Sequence, residues 1–333
     1  MIHDSQLPPP VQQPLQPPLQ PQLQPQLQPQ LQPQLQQPYE LKTEAPNTKH
    51  ENLDAYATPQ LVQAIIDDQI NAVAAVQAAQ TDLSRAVDLA AHRLGRGGRL
   101  IYVGAGTSGR LGLLDSVELY PTFSWPRERA IAILAGGNTA IYEAVEGAED
   151  NLAQGELDLR AAHVQANDVV IVLAASGTTP YALGALAEAK RAGSLTIGVA
   201  NNPNTPVSQI ADIGITLDTG SEVISGSTRL KAGTAQKILL NTFSSAVMVR
   251  LSKVYGNLMV DLQATNAKLV KRSIKLTMLA TGADEYVAAS TLERCNYSVK
   301  VAIVSLIKKV SIDESRIRLN TAYGNVRRAL ESN

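Results

Sequence analysis

Cysteine is almost absent from this chain: Cys295 stands alone, which excludes an internal disulfide and leaves no thiolate set for zinc. Histidine is nearly as scarce, with His3, His50, His92 and His163 scattered singly and out of ligand spacing. No metal centre is expected. Acidic and basic side chains almost cancel to a formal charge of −1, so no cationic excess exists to hold nucleic acid or a membrane surface. Apolar runs are short, and none approaches the roughly 20 residues that span a bilayer. The N-terminus also lacks the basic start and apolar centre of a secretion signal. The expectation is a cytoplasmic protein with neither a nucleic acid nor a membrane as partner.

What is present is enough apolar sequence, 44% of 333 residues, for one large core and an appendage. From Leu7 to Pro38 the chain repeats Pro-Gln-Leu-Gln, which offers too little contiguous apolar surface to offset the entropy of ordering it. Residues 1–42 are therefore expected to form a disordered, polyproline-like tail without a catalytic role. From Pro59 to Arg93, Leu61, Ile65, Ile66, Ile70, Val73 and Val76 recur at helical spacing, and Gly95, Gly97 and Gly98 then stop the pattern. One or two helices are expected there. Strands are then predicted at 99–103, 129–134, 168–173, 195–199 and 213–217, alternating with helices near 108–116, 138–150, 179–192 and 205–211. Such alternation predicts an α/β fold with a doubly wound parallel sheet. A long helix is expected from Gly226 to Arg250, and only helices beyond Leu258. The boundaries expected are 43–262 for the α/β domain with its leading helices and 263–333 for a small helical module.

Two strands end in glycine and hydroxyl residues. Leu100-Ile101-Tyr102-Val103 runs into Gly104-Ala105-Gly106-Thr107-Ser108-Gly109, and Val169-Val170-Ile171-Val172-Leu173 into Ala174-Ala175-Ser176-Gly177-Thr178-Thr179. A strand that turns into a helix at such a loop aims free N–H groups and the positive helix end at one spot, which suits a phosphate. The candidate ligands are the amides of Gly106, Thr107 and Gly177 and the hydroxyls of Ser108, Ser176 and Thr179. The ordinary alternative for those hydroxyls is helix capping. The first loop also fits G-x-G-x-x-G, but a dinucleotide site needs an acid at the end of the next strand. That strand ends Ala132-Ile133-Leu134-Ala135-Gly136-Gly137, without one. A phosphorylated sugar between the loops uses both.

Five ordered blocks carry a wider likeness: Ile101 to Glu118, Ala144 to Asp150, Ala174 to Gly177, Gly226 to Lys237 and Lys253 to Asp261. With Thr43-Glu44 and Asn47-Thr48 at the start, they make the chain resemble the N-acetylmuramic acid 6-phosphate etherases of the sugar isomerase (SIS) superfamily. The resemblance implies an SIS-type, flavodoxin-like sheet, a homodimer, and a small sugar phosphate as substrate. It implies cleavage of the D-lactyl ether of N-acetylmuramic acid 6-phosphate to N-acetylglucosamine 6-phosphate and D-lactate, in amino sugar catabolism and peptidoglycan recycling. No metal or organic cofactor is required, because the open-chain aldehyde acidifies the C2 proton and two carboxylates can do the rest.

By the same resemblance Glu118, in Asp115-Ser116-Val117-Glu118, is the proton donor, and Glu149 is the second catalytic glutamate. We expect Glu149 to act as the base at C2, with Glu118 the acid toward lactate and then the base for water. Without the resemblance, Glu118 reads as a surface carboxylate, and Glu146 and Glu149 as one acidic face of a helix. Arg229 and Lys231 are open between a role at the lactyl carboxylate and plain solvation. Two positions depart from the family pattern: Leu119-Tyr120 where Cys-Pro is usual, and Thr178 where arginine is common. A sugar-phosphate sensor like the glucokinase regulatory proteins and a sugar-phosphate isomerase are the other readings.

Overall fold

A computed structural model describes residues 39–331. The Pro/Gln-rich stretch expected to be a disordered tail lies, through Pro38, outside the described residues. Two helices lead in, α1 (Thr58–Ala78) and α2 (Gln80–Gly95). The short β-branched runs then become β1 (Leu100–Gly104), β2 (Ala130–Leu134), β3 (Val169–Ala174), β4 (Leu195–Ala200) and β5 (Ile213–Thr216). Between and after them come α3 (Gly106–Phe123), α4 (Leu152–Ala161), α5 (Pro180–Arg191), α6 (Pro206–Ile210) and α7 (Lys231–Arg250).

All pairs in the sheet are parallel, in the order β2-β1-β3-β4-β5. Strands β1, β3 and β4 are buried along their whole length, as parallel strands covered on both faces must be. Alternate residues sort to the two faces. Leu100, Tyr102, Ile171 and Ile197 share a core with Leu83 and Leu94 of α2 and with Leu240 and Phe243 of α7. Leu119 and Phe123 place α3 on that face as well. The other face is covered by α5, whose Tyr181, Leu183 and Leu186 are fully buried and against which α4 packs.

From β1 the chain steps outward to β2, and from β3 outward the other way to β4. The crevice between β1 and β3 is thus the topological switch point, where ligands of doubly wound sheets bind. Leu100 lies opposite Val169 and Gly104 opposite Leu173, so both glycine-hydroxyl loops leave the same edge side by side.

The helix expected near 138–150 is not there. That stretch holds two short 3-10 turns, Thr139–Ile141 and Ala148–Asp150, with Gly147 at φ +70° between them. Its larger apolar side chains find little core to enter: Ala140 is buried, but Tyr142 is 87% and Val145 38% exposed. Helices in proteins draw most of their stability from such packing. The helix forms later, as α4, where the Asn151 side chain accepts the Gln154 N–H at the N-cap. Glu146 and Glu149 consequently do not share a helical face.

After α7 a small hairpin, β6 (Val254–Tyr255) with β7 (Leu258–Met259), escaped the sequence pattern because each strand is only two residues long. Then follow α8 (Ala267–Thr281), α9 (Glu285–Arg294), α10 (Val299–Lys308), α11 (Ile312–Thr321) and α12 (Val326–Glu331). They enclose an apolar cluster that includes Leu292, Val299, Ile303 and Leu319. Cys295 is buried in it, where desolvation pushes the thiol up and away from reactivity. No helix among the described residues is long and apolar enough to cross a membrane.

Asp168 pins the entry of β1 to that of β3. Its carboxylate accepts the Arg99 backbone N–H at 2.8 Å, the Arg99 guanidinium at 2.6 Å and the Gln165 N–H at 2.9 Å. Burial pushes this carboxyl up, but those donors and the Arg99 charge outweigh it and hold the pKa below the ordinary value. A carboxyl depressed on folding stabilises above its unfolded pKa and loses that contribution as the pH falls through the folded one. Asp168→Asn should therefore cost about 2–3 kcal/mol near neutral pH. In urea melts the deficit should shrink as the pH is lowered through the carboxylate range.

Candidate active site

The first loop is built by conformation and the second by crowding. Gly106 opens α3 at φ +52°, a region L side chains avoid, and a Cβ there would meet nothing. Gly177 combines φ +75° with a Cβ position only 2.0 Å from Thr205 Oγ1. Around Gly177 the loop is tied down. Asn202 Nδ2 donates to the Ala175 carbonyl at 3.0 Å, and the Gly177 carbonyl accepts the Val207 N–H at 3.0 Å. Ser176 Oγ accepts the Thr178 N–H at 3.2 Å and sits 3.3 Å from Thr179 Oγ1.

Neither α3, which starts after Ala105, nor α5, which starts after Thr179, has a side-chain cap. The first-turn N–H groups that remain, Pro180 having none, carry no side-chain cap, and capping does not account for the Thr179 hydroxyl. The two helix starts border one cleft of about 420 Å³. Gly106, Thr107, Ser108, Ser176 and Thr179 line it, and so does Glu149. Gly177 does not; its part is to turn the backbone.

Three further lining residues carried no assigned role: Glu44, Asp150 and Thr228. Glu44 arrives because Thr43 is buried against Asn202, donating its N–H to Asn202 Oδ1 at 3.2 Å and accepting from Nδ2 at 3.0 Å. The family-like Thr43-Glu44 was the one available signal. Among the described residues no lysine or arginine lines the cleft.

Glu118 lies elsewhere. From Gly106 to Glu118 an α-helix rises about 18 Å, and Glu118 is not among the residues lining the cleft. Its side chain is 54% exposed, with Lys237 Nζ of α7 at 3.7 Å. One turn earlier, buried Asp115 accepts from Tyr102 Oη at 2.7 Å, Asn241 Nδ2 at 3.0 Å and Ser244 Oγ at 3.2 Å, locking α3 to β1 and α7. Desolvation pushes the Asp115 carboxyl up despite these donors, and it pushes the Tyr102 phenol up as well.

Lys231 takes neither role considered for it. It is buried and paired with Asp68 at 2.7 Å, while the Glu222 carboxylate accepts the Lys231 and Ala232 N–H groups and closes the start of α7. Arg229 is exposed. Among the described residues no group of three His, Cys, Asp or Glu is placed to hold a metal ion.

Residues 82–190 match the family model of the glucokinase regulatory protein N-terminal SIS domain, and residues 151–246 match the SIS domain. Over 289 residues the chain is 55% identical to the N-acetylmuramic acid 6-phosphate etherase of Deinococcus radiodurans, covering 87% of this chain and 95% of that protein. The chain belongs to the N-acetylmuramic acid 6-phosphate etherase family. The etherase of Geobacillus thermodenitrificans is 48% identical, over 87% of this chain and 99% of its own. That of Clostridium beijerinckii is 45% identical, over 87% and 96%. Among solved structures, a protein of E. coli CFT073 gives a TM-score of 0.43 at 18% identity, covering 58% of this chain and 93% of that one.

Against the etherase pattern, the two departures differ in weight. Leu119 is buried in the core beside α7, and Tyr120 stacks under Arg127, so both serve packing. Thr178 lines the cleft itself.

The two loop glycines give a graded test. Gly177→Ala should cost about 1–3 kcal/mol and raise KM for the sugar phosphate, since strain and a clash with Thr205 combine. Gly106→Ala, strained in open space, should cost about 1 kcal/mol. Urea unfolding and steady-state kinetics on both variants check the ranking.

Proposed function

We propose that this chain cleaves the D-lactyl ether of N-acetylmuramic acid 6-phosphate, giving N-acetylglucosamine 6-phosphate and D-lactate in the recycling of cell-wall amino sugars. It is a carbon–oxygen lyase in its first half-reaction. The observation that carries this reading is near-full-length family membership, at up to 55% identity to the relatives described, in a chain whose cleft suits a sugar phosphate. The phosphate docks on the first turns of α3 and α5, with the hydroxyls of Ser108, Ser176 and Thr179 as donors. With no lysine or arginine among the described lining residues, helix dipoles and N–H groups carry the anion.

The chemistry needs two proton carriers. The Glu149 carboxylate takes the C2 proton of the open-chain sugar, electrons shift toward the C1 aldehyde, and the C3–O bond breaks as Glu118 gives its proton to the departing lactate oxygen. Water then adds at C3, its proton passes to Glu118, and Glu149 returns its proton to C2. The sum is one ether and one water in, one alcohol on each product out. We place the reaction in the cytoplasm, where a multiply charged sugar phosphate is retained, and we take the working form to be a homodimer.

Incubation with the substrate in heavy-oxygen water tests the reading. Label on the amino sugar together with unlabelled lactate is the expected result. Binding without lactate would favour the sensor reading, which the glucokinase regulatory protein match supports. Aldose–ketose exchange without lactate would favour an isomerase. Glu118→Gln and Glu149→Gln should each lower kcat at least about 100-fold, and a near-normal Glu118→Gln enzyme would remove Glu118 from the mechanism.

A further inference from the structure

We infer that Lys237 holds the lactyl carboxylate of the substrate, and so selects a carboxylate-bearing ether over other sugar phosphates. The inference rests on the proposed function and names the group that recognises the leaving half of that substrate.

The substrate carries two anions, and the two helix starts account for the phosphate alone. A carboxylate taken out of water without a counter-charge is costly, so a cation is required where the lactyl group sits. Bond geometry locates that place. The lactyl carboxylate and the ether oxygen are attached to one carbon, which puts their oxygens about 3 Å apart. The group that protonates the ether oxygen must itself approach it to about 3 Å. Whichever cation serves the carboxylate therefore stands beside the proton donor, Glu118.

Lys237 occupies that position. Its Nζ lies 3.7 Å from the Glu118 carboxylate, close enough to pair but too far for a hydrogen bond. The ammonium keeps donors to give, and 31% of its side chain is open to an incoming anion. The other basic residues of α3 and α7 are engaged elsewhere. Lys231 pairs with Asp68 at 2.7 Å, Arg250 pairs with Asp88 at 3.2 Å, and Arg110 donates to the carbonyls of Ala140 and Glu143.

A polar seam fixes this lysine in place. Lys237, Asn241 and Ser244 follow one another along one face of α7, and Asp115 and Glu118 stand one turn apart on α3. Asn241 Nδ2 and Ser244 Oγ donate to one oxygen of buried Asp115, at 3.0 and 3.2 Å, and Tyr102 Oη donates to the other at 2.7 Å. That latch sets the register of the two helices, and the register brings Lys237 to Glu118. Cation and proton donor thus arrive together on rigid elements. When Glu118 gives up its proton, it becomes a second anion beside the lactyl carboxylate, and Lys237 offsets both.

Lys237→Met keeps the stem and removes the charge. KM for N-acetylmuramic acid 6-phosphate should rise about 10- to 100-fold, and Lys237→Arg should recover most of the loss. Binding of N-acetylglucosamine 6-phosphate, which keeps the phosphate but lacks the lactyl group, should stay at the wild-type Kd. A substrate analogue with the lactyl carboxylate converted to a carboxamide supplies a second arm that needs no variant. It should bind the wild-type enzyme as weakly as the true substrate binds Lys237→Met, and Lys237→Met should not distinguish the two. Equal loss of substrate and product binding would make Lys237 merely structural, and an unchanged KM or a carboxamide penalty equal in both proteins would remove it from the lactyl group. Each result overturns this inference, while normal wild-type lactate release leaves the proposed function standing. A wild-type protein that releases no lactate overturns both.

Discussion

The pairing of β1 with β3 is the constraint on which the site depends. These two strands run side by side in register, yet the chain leaves them in opposite directions and sends α3 to one face and α5 to the other. The crevice that results collects two helix starts at one point, as the switch point of a doubly wound sheet does. Asp168 and Arg99 fix the far ends of the two strands, so the loops at the near ends are held from behind.

The proposed anion site, with no lysine or arginine among its described lining residues, has a particular energetic logic. Oriented amides and hydroxyls exchange water for bonds of comparable strength at little reorganisation, because the loop is already fixed by Asn202, Thr205 and Val207. Carboxylates near such a site would repel a phosphate if they faced it. Under the proposed function the cleft divides, with dipoles at the phosphate and acids toward the sugar hydroxyls and the reacting carbons.

Much of this was legible from the residues. Short runs such as Val169–Leu173 signal buried parallel strands, and the glycine-hydroxyl loops mark the edge where the cleft opens, because glycine readily takes the φ values of Gly106 and Gly177. Local patterns failed where distant packing decides. The 138–150 stretch reads as a helix but buries only Ala140, and α3 continues past residue 116 to Phe123 because Leu119 and Phe123 find the core. Lys231 looks free in sequence, and only the approach of Asp68 from α1 shows that it is engaged. Nothing in the sequence hints that Asn202 reaches back to Thr43.

That last contact gives the segment ahead of α1 a structural voice in recognition. Asn202 Oδ1 accepts the Thr43 N–H, while Nδ2 donates to Thr43 Oγ1 and to the carbonyls of Ala175 and Ser176. Trimming the chain back to its first long helix would remove no strand and no core residue of the sheet, yet it would loosen the hydroxyl loop and take Glu44 from the rim. The region just upstream of a domain, usually treated as a convenient place to cut or fuse, is here a stay for the loop that walls the cleft.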